Sequence, residues 1–357
     1  MLRNPRAARE KTDEPSEYRR RGRAMTDLPV APVAIFSSAT TMLDKLGFSS
    51  ERIVERAGLP QYQYLEPHLK IPGIHLYRIH GLAARALGEE AFGAMIPGGM
   101  PITRVGSLGK AVTGSPTVHT AVNEISRLYS QSSSVARFWT AGDGEGVWWL
   151  RKSALPLSVG SRQMELSSLA YMVQTVRVSA GFDWRPARMC VERDSIPQLN
   201  QLEPFAGAEV LRERGVSGIA IPFSILSQLN PLLALSDPIE GDRFFADAPS
   251  EELPGALRQV LRAMVHLGHP RIETIAEMAG VQVRTLQRRL RAEDFTFKKL
   301  VDEARFLETM DLVGDQDVTF TEIAHHLGYT DQAHFTRAFR RWAGVTPSRY
   351  RFELVRG

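Results

Sequence analysis

The chain has 357 residues and a single cysteine, Cys190. An intramolecular disulfide is excluded, and such sparse cysteine fits a reducing cytoplasm. No run of about eighteen apolar residues is present, so no segment is expected to span a membrane. No secretory leader pattern stands at the N-terminus. Charge is nearly balanced, with 44 Lys and Arg against 40 Asp and Glu. A strongly basic or acidic body is thereby excluded, and a charged partner must be met by a local patch. The hydrophobic share of 43% is that of a globular chain, and the length suits two domains.

Catalytic motifs are missing as well. "GSLGKA", Gly106 to Ala111, has a phosphate-loop look, but Arg104 stands where the first glycine belongs and Ala111 where Ser or Thr belongs. It reads better as a helix N-terminus. "GVSG", Gly215 to Gly218, lacks the spacing of a nucleophile elbow. Cys190 lies among apolar neighbours and reads as inert core. His325 and His326 are adjacent, so they point to different helix faces, and no third ligand lies near in sequence. No metal, no cofactor and no catalytic residue is expected. An enzymatic N-terminal domain fused to a DNA-binding one stays as the alternative, tested by turnover on the isolated fragment.

What charge there is lies unevenly. The first 24 residues hold Arg3, Arg6, Arg9, Lys11, Arg19, Arg20, Arg21 and Arg23 against Glu10, Asp13, Glu14 and Glu17. Eight minus four is the whole formal excess of +4. With almost no large apolar residue, residues 1–28 read as a disordered basic tail. It either touches DNA phosphates or is a dispensable leader, with Met25 as an alternative start.

The densest pattern is at the other end. In "GYTDQAHFTRAFRRWAGVTPSRYR", Gly328 to Arg351, Gly328 ends one helix and Asp331 caps the next. Phe335, Ala338, Phe339 and Trp342 fall on one apolar face, and Ala333, Thr336, Arg337 and Arg340 lie opposite. Gly344 ends that helix and Pro347 is expected to stop it. Before it, Phe320, Ile323, Ala324 and Leu327 form another apolar stripe. Two short helices across a glycine turn, the second with a basic outer face, form a helix-turn-helix pattern.

The pattern occurs twice. "IAEMAGVQVRTLQRRLRAE", Ile275 to Glu293, repeats it: Ile275, Ala276 and Gly280 match Ile323, Ala324 and Gly328. With one extra residue in the second turn, Leu286, Arg288 and Leu290 match Phe335, Arg337 and Phe339. Val283, Leu286 and Leu290 are expected inside, and Arg284, Gln287, Arg288 and Arg291 outside. Two copies suggest paired reading heads rather than a solenoid. A helix from Lys298 to Val313 is long enough to hold them in fixed relation.

These last hundred residues resemble the DNA-binding domain of AraC/XylS-type bacterial transcription regulators. "TLQRRL" and "EIAHHLGYTDQAHFTRAFRRWAGVTPSRYR" carry the resemblance; His325 and His326 depart from it, on the helix before the reading helix. It implies double-stranded promoter DNA as partner, with Arg284, Gln287, Arg288, Arg291, Gln332, Ala333, Thr336, Arg337, Arg340 and Arg341 placed to meet it. RNA polymerase, a homodimer and a cytoplasmic, nucleoid-associated location are implied alongside.

Residues 29–235 read as a mixed α+β domain. Helices are expected from Ile35 to Leu46, Ser50 to Ala57, His75 to Leu87 and Thr117 to Tyr129. A hairpin turns at Asp143-Gly144, and Ser161 to Ala180, apolar on most sides, reads as a buried helix. Short strands follow near Ala187–Glu192, Glu209–Leu211 and Gly218–Ile221. Residues 236–253, rich in Asp, Pro, Glu and Gly, read as a linker, and 254–357 as an all-α domain with two helix-turn-helix units joined by a long helix. "VGSLGKAVTGSPTVHTAVNEISRLY" and "RPARMCVERDSIPQLNQLEPFAGAEVLRERGVSGIAIPFSIL" resemble the arabinose-binding type of sensor in one branch of that family. The resemblance implies effector sensing and dimerisation, not arabinose. Trp139, Trp148, Trp149, Arg151, Arg162, Glu165, Tyr171 and Met172 are candidates for an effector site, an aromatic wall with charges for a carboxylate, an amine or an amphiphile. The plainer reading makes the aromatics core and Arg162–Glu165 an i,i+3 helical pair. An effector-responsive activator is the expectation, with a repressor as alternative.

Overall fold

The computed structural model describes residues 28–59, 65–142, 144–156, 158–192, 199–212, 215–233, 249–250, 252–268 and 270–356. The expected tail up to residue 27, most of the expected linker and Asp143 of the hairpin turn lie outside them.

A five-stranded sheet organises the N-terminal part. β3 (Ala136–Gly142) and β4 (Gly146–Ser153) form the expected hairpin, with Phe138 opposite Arg151 and Trp139 opposite Leu150. β7 (Ser217–Pro222) joins β4 antiparallel. β5 (Arg188–Cys190) pairs antiparallel with β7 and parallel with β6 (Glu209–Leu211). The order is β3-β4-β7-β5-β6. The two-residue period of a strand sends alternate side chains to opposite faces. Phe138, Trp149, Met189, Ile219 and Ile221 enter the main core, while Trp139, Trp148, Leu150, Cys190 and Ala220 pack together on the other face.

Helices cover the first face. In chain order they are α1 (Ser37–Lys45), α2 (Ser50–Arg56), α3 (Gly73–Leu87), α4 (Phe92–Gly99), α5 (Gly106–Gly114) and α6 (Val118–Ser132). α7 (Ser161–Ala180) is the central one, and its Leu166, Leu169, Met172, Val173 and Val176 are buried. α8 (Phe223–Leu226) follows β7 directly. Starts are set by local chemistry: Thr117 and Thr120 form a reciprocal cap on α6. α4 has no counterpart in the periodicity reading. Its sequence, FGAMIPGG, holds a proline and three glycines, which argue against a helix. Packing overrides propensity: a Cβ on Gly93 would lie 2.1 Å from the Gln163 carbonyl oxygen, so only glycine lets α4 approach α7 this closely.

The C-terminal part is helical throughout: α9 (Leu253–His266), α10 (Ile272–Met278), α11 (Val283–Ala292), α12 (Phe297–Val313), α13 (Phe320–His326), α14 (Gln332–Ala343) and α15 (Pro347–Arg356). The α10–α11 and α13–α14 pairs close by the same chain geometry. Gly280 and Gly328 have φ of +66° and +74°, a left-handed conformation that glycine adopts without strain. After them Val281 N–H donates to Ala276 O at 2.9 Å, and Tyr329 N–H to Ala324 O at 2.8 Å. As expected, α14 ends at Ala343 with Gly344 in the left-handed region, and Pro347 then opens a separate helix, α15, where its missing N–H has no helical partner to lose.

The two parts share a seam. β1 (Val30–Pro32) pairs with β2 (Lys70–Pro72). Leu28 and Val30 are fully buried in one cluster with Leu253, Leu257, Val260, Leu261 and Val265 of α9, and Ile74 packs against it. Ala263 of α9 belongs to the sensor core instead. Across the same seam Arg78 of α3 donates to Glu277 of α10 at 2.9 Å.

Candidate nucleic-acid interface and sensor cavity

In the first unit Leu286 and Leu290 anchor α11 in the core, leaving Arg284, Gln287, Arg288 and Arg291 exposed on the far side. In the second, Phe335, Ala338 and Phe339 are buried, while Gln332, Ala333, Arg337, Arg340 and Arg341 are exposed and Thr336 is half-buried. Asp331 caps α14 as expected, accepting from His334 N–H at 2.7 Å. That bond holds its carboxyl below the usual carboxylate range. Gln332 is steadied by Thr321 of α13, whose hydroxyl donates to Gln332 Oε1 at 2.9 Å. Arg341 donates to Asp302 of α12 at 3.2 Å. A surface recess beside it is lined by Lys298, Arg305, Arg337 and Arg341 around Asp302. Lys298 and Arg305 belong to α12, outside the repeated helix-turn-helix pattern.

The N-terminal part contains an internal cavity of about 80 Å³ between α1, α3, α6, α7 and the sheet. Trp149, Tyr171 and Met172, three of the eight candidates, line it together with Leu76, His80, Tyr129, Phe138, Met164 and Ser167. The other five lie elsewhere. Trp139 and Trp148 sit on the opposite sheet face, because odd and even residues of β4 diverge and Trp139 faces away with them. Arg162 reaches Glu90 at 3.4 Å, not Glu165, so the expected i,i+3 pair is absent. Glu165 turns inward and accepts from the Ser217 hydroxyl at 2.6 Å and the Glu192 N–H at 2.7 Å. Arg151 is buried behind the wall, 3.4 Å from the Tyr77 hydroxyl. Burial works against its charge, but Tyr77, Glu165 and Glu192 hold its pKa above the ordinary value.

The cavity wall is uncharged. Burial pushes His80 down to about 4, against the pull of its Leu76 carbonyl partner, and lifts Tyr129 to about 12. Tyr171 is raised by the same cause. His80 Nδ1 lies 2.8 Å from Leu76 O. A carbonyl only accepts, so Nδ1 carries the proton and Nε2 is an acceptor. A lone histidine on an amphipathic helix gave no sequence signal for this placement.

Comparison with known proteins agrees with this arrangement. Residues 275–352 match a helix-turn-helix domain, and residues 47–229, more than half of the chain, match the arabinose-binding domain of AraC transcription regulator, N-terminal. The ornithine utilization regulator of Pseudomonas aeruginosa is 20% identical, covering 90% of this chain and 96% of that protein. An uncharacterized HTH-type transcriptional regulator of Mycobacterium tuberculosis is 40% identical over 80 residues. That stretch is 22% of this chain and only 23% of the relative. The crystal structure of the transcriptional regulator CdpR from Pseudomonas aeruginosa aligns at a TM-score of 0.38 and 20% identity. It covers 84% of this chain and 96% of that one. Paired helix-turn-helix units behind an α+β ligand-binding-type domain are the arrangement of a DNA-binding transcription regulator. The chain belongs to the AraC family of transcription regulators.

Proposed function

We propose that the chain is an effector-responsive activator that binds promoter DNA through α11 and α14 as a homodimer and recruits RNA polymerase. The carrying observation is the double role of α3. Leu76 and His80, one helical turn apart, face the cavity. Ile74 and Arg78, also a turn apart, face α9 and α10. One rigid helix thus touches the effector site on one side and the first DNA-binding unit on the other. An occupant that displaces α3 changes how α10 and α11 are held. It shifts DNA affinity only by its differential affinity for the two arrangements. The bases are read by Arg284, Gln287 and Arg288 in one head and Gln332, Ala333, Thr336 and Arg337 in the other. Arg291, Arg340 and Arg341 meet phosphates. The test is run-off transcription from a selected binding site placed upstream of a core promoter. Transcript should rise when the protein is added with metabolite extract and stay low with either alone. A fall in transcript on protein addition would make the chain a repressor.

A further inference from the structure

The cavity wall says what kind of molecule fits it, an inference that rests on the effector reading above. None of its lining residues is Asp, Glu, Lys or Arg. The buried Arg151, the cation nearest in kind to a carboxylate partner, is not among them and already has the Tyr77 hydroxyl. Most polar groups on the wall are already used. Tyr171 donates to Met100 O at 2.8 Å, Ser168 to Met164 O at 2.8 Å and Thr175 to Tyr171 O at 2.9 Å. Trp149 Nε1 donates to Ser126 at 3.0 Å. Ser38 is bonded to Tyr171 and Tyr129 to Ser133, so among the described wall residues only His80 Nε2 and the Ser167 hydroxyl are without a hydrogen bond. They sit on facing helices, α3 and α7. The rest of the surface is aromatic and thioether: Phe138 packs against Tyr129 at 4.8 Å and Trp149 at 6.3 Å, beside Met164 and Met172.

We infer that the cavity takes an uncharged, mostly apolar small molecule whose single hydrogen-bond donor meets His80 Nε2, an aromatic alcohol being the simplest form. A sugar brings several hydroxyls to a wall where only His80 and Ser167 are without a hydrogen bond and the rest is largely apolar, and would leave most of them poorly paired. A carboxylate would enter with no cation to meet it. Burial in the cavity wall holds His80 neutral at physiological pH, which suits an acceptor role. The volume holds on the order of half a dozen non-hydrogen atoms at about 10–15 Å³ per water-sized group. That is enough for a ring, given modest side-chain movement.

The experiment reads the wall directly. The full chain is labelled with ¹³C-methyl methionine, and Met164 and Met172 are assigned through Met164→Leu and Met172→Leu. Benzyl alcohol, benzoate and L-arabinose are titrated at equal concentrations at pH 7. Benzyl alcohol should move both methyl signals saturably, and the other two should not. Ser167→Leu, which fills the cavity from α7, should abolish the shift while leaving the remaining methionine signals in place. His80→Phe should weaken benzyl alcohol about tenfold relative to toluene. If benzoate or arabinose moves the two methyls and benzyl alcohol does not, the ligand class is wrong while the effector site stands. If no probe moves either methyl, this ligand inference falls, while the run-off transcription test decides the effector reading on its own. A benzyl alcohol shift that survives in Ser167→Leu overturns the assignment to this cavity.

Discussion

The proposed reading rests on two kinds of residue, which differ in how openly the sequence carries them. Arg288 was legible because it recurs: it sits two residues after Leu286 as Arg337 does after Phe335, and both are exposed. Arginine spans guanine O6 and N7, so Arg288→Ala should cost about 1–3 kcal/mol and relax preference at one base. Equal weakening on specific and random DNA, in parallel titrations, would reassign it to phosphate. Arg340→Ala should weaken both DNAs alike and lower the salt slope by about one. His80 was illegible because nothing about one histidine on a helix separates cavity from core until the chain is folded. It leaves a measurable trace together with His75. Burial holds both rings near 4 rather than 6.5. The unfolded chain therefore binds the extra protons between those values, so stability is intact above about 6.5 and falls as pH drops toward 4. Each ring contributes on the order of 3 kcal/mol across the whole window. Urea denaturation at several pH values between 5 and 7.5 measures it. His80→Gln should flatten the dependence, and an unchanged slope would show that His80 is not a buried neutral ring.

Elements were read well where local chemistry and tertiary packing agree. Ser161–Ala180 is placed to the residue, because a helix apolar on most sides belongs in the core. The turns at Gly280 and Gly328 were placed because left-handed backbone selects glycine. Failures came where packing or position reversed a local signal. α4 is a helix because α1 and α7 close around its glycines. The expected Arg162–Glu165 pair failed because Glu165 had better partners inside, in Ser217 and the Glu192 amide. A cap that was legible can be weighed. Asp331→Ala removes the side chain that accepts the His334 N–H and should destabilise the chain by about 1 kcal/mol. No loss in a denaturant titration would mean that α14 is held by its apolar face alone. The seam is the element-scale feature that no sequence pattern announced, since Leu28 and Val30 lie more than two hundred residues from α9. The Arg78–Glu277 pair is half-open to solvent, with side chains 35% and 68% exposed. Its loss should change global stability by less than about 1 kcal/mol. Its effect should be local. In Arg78→Ala, amides of α10 should exchange faster while those of β4 and β7 stay protected. Uniform protection across α10 would remove Arg78 from the coupling.

At the scale of the whole molecule, two reading heads on one scaffold helix make a geometric claim. α12 (Phe297–Val313) joins the two units, and α11 and α14 are expected to enter successive major grooves about 34 Å apart on one face of the duplex. Footprints should show two protected patches about 10–11 base pairs apart for each protomer. A single compact patch would leave one head idle. Each head inserts one short helix, so the grip of a single protomer is limited, and pairing makes the second docking effectively intramolecular. Symmetric dimers are the commonest assembly for soluble homo-oligomers. The sensor is expected to carry any pairing surface, since α9 is covered by Leu28, Val30 and Ile74 and α11 and α14 are to meet DNA. Exposed apolar side chains remain there, among them Phe182 at 74%, Phe223 at 57% and Leu229 at 76%. Sedimentation of the full chain at micromolar concentration should therefore give a dimer. A fragment beginning at Leu253 is a poor control on its own, because it strips Leu28, Val30 and Ile74 from α9 and bares an apolar stripe. The sharper comparison is the intact protein with Phe182→Ser, Phe223→Ser and Leu229→Ser in turn. One of these should shift the association constant at least tenfold without changing the far-ultraviolet spectrum. A chain that sediments as a monomer at every concentration, with and without DNA, would remove pairing from the mechanism and leave the α3 seam as the sole route between effector and promoter.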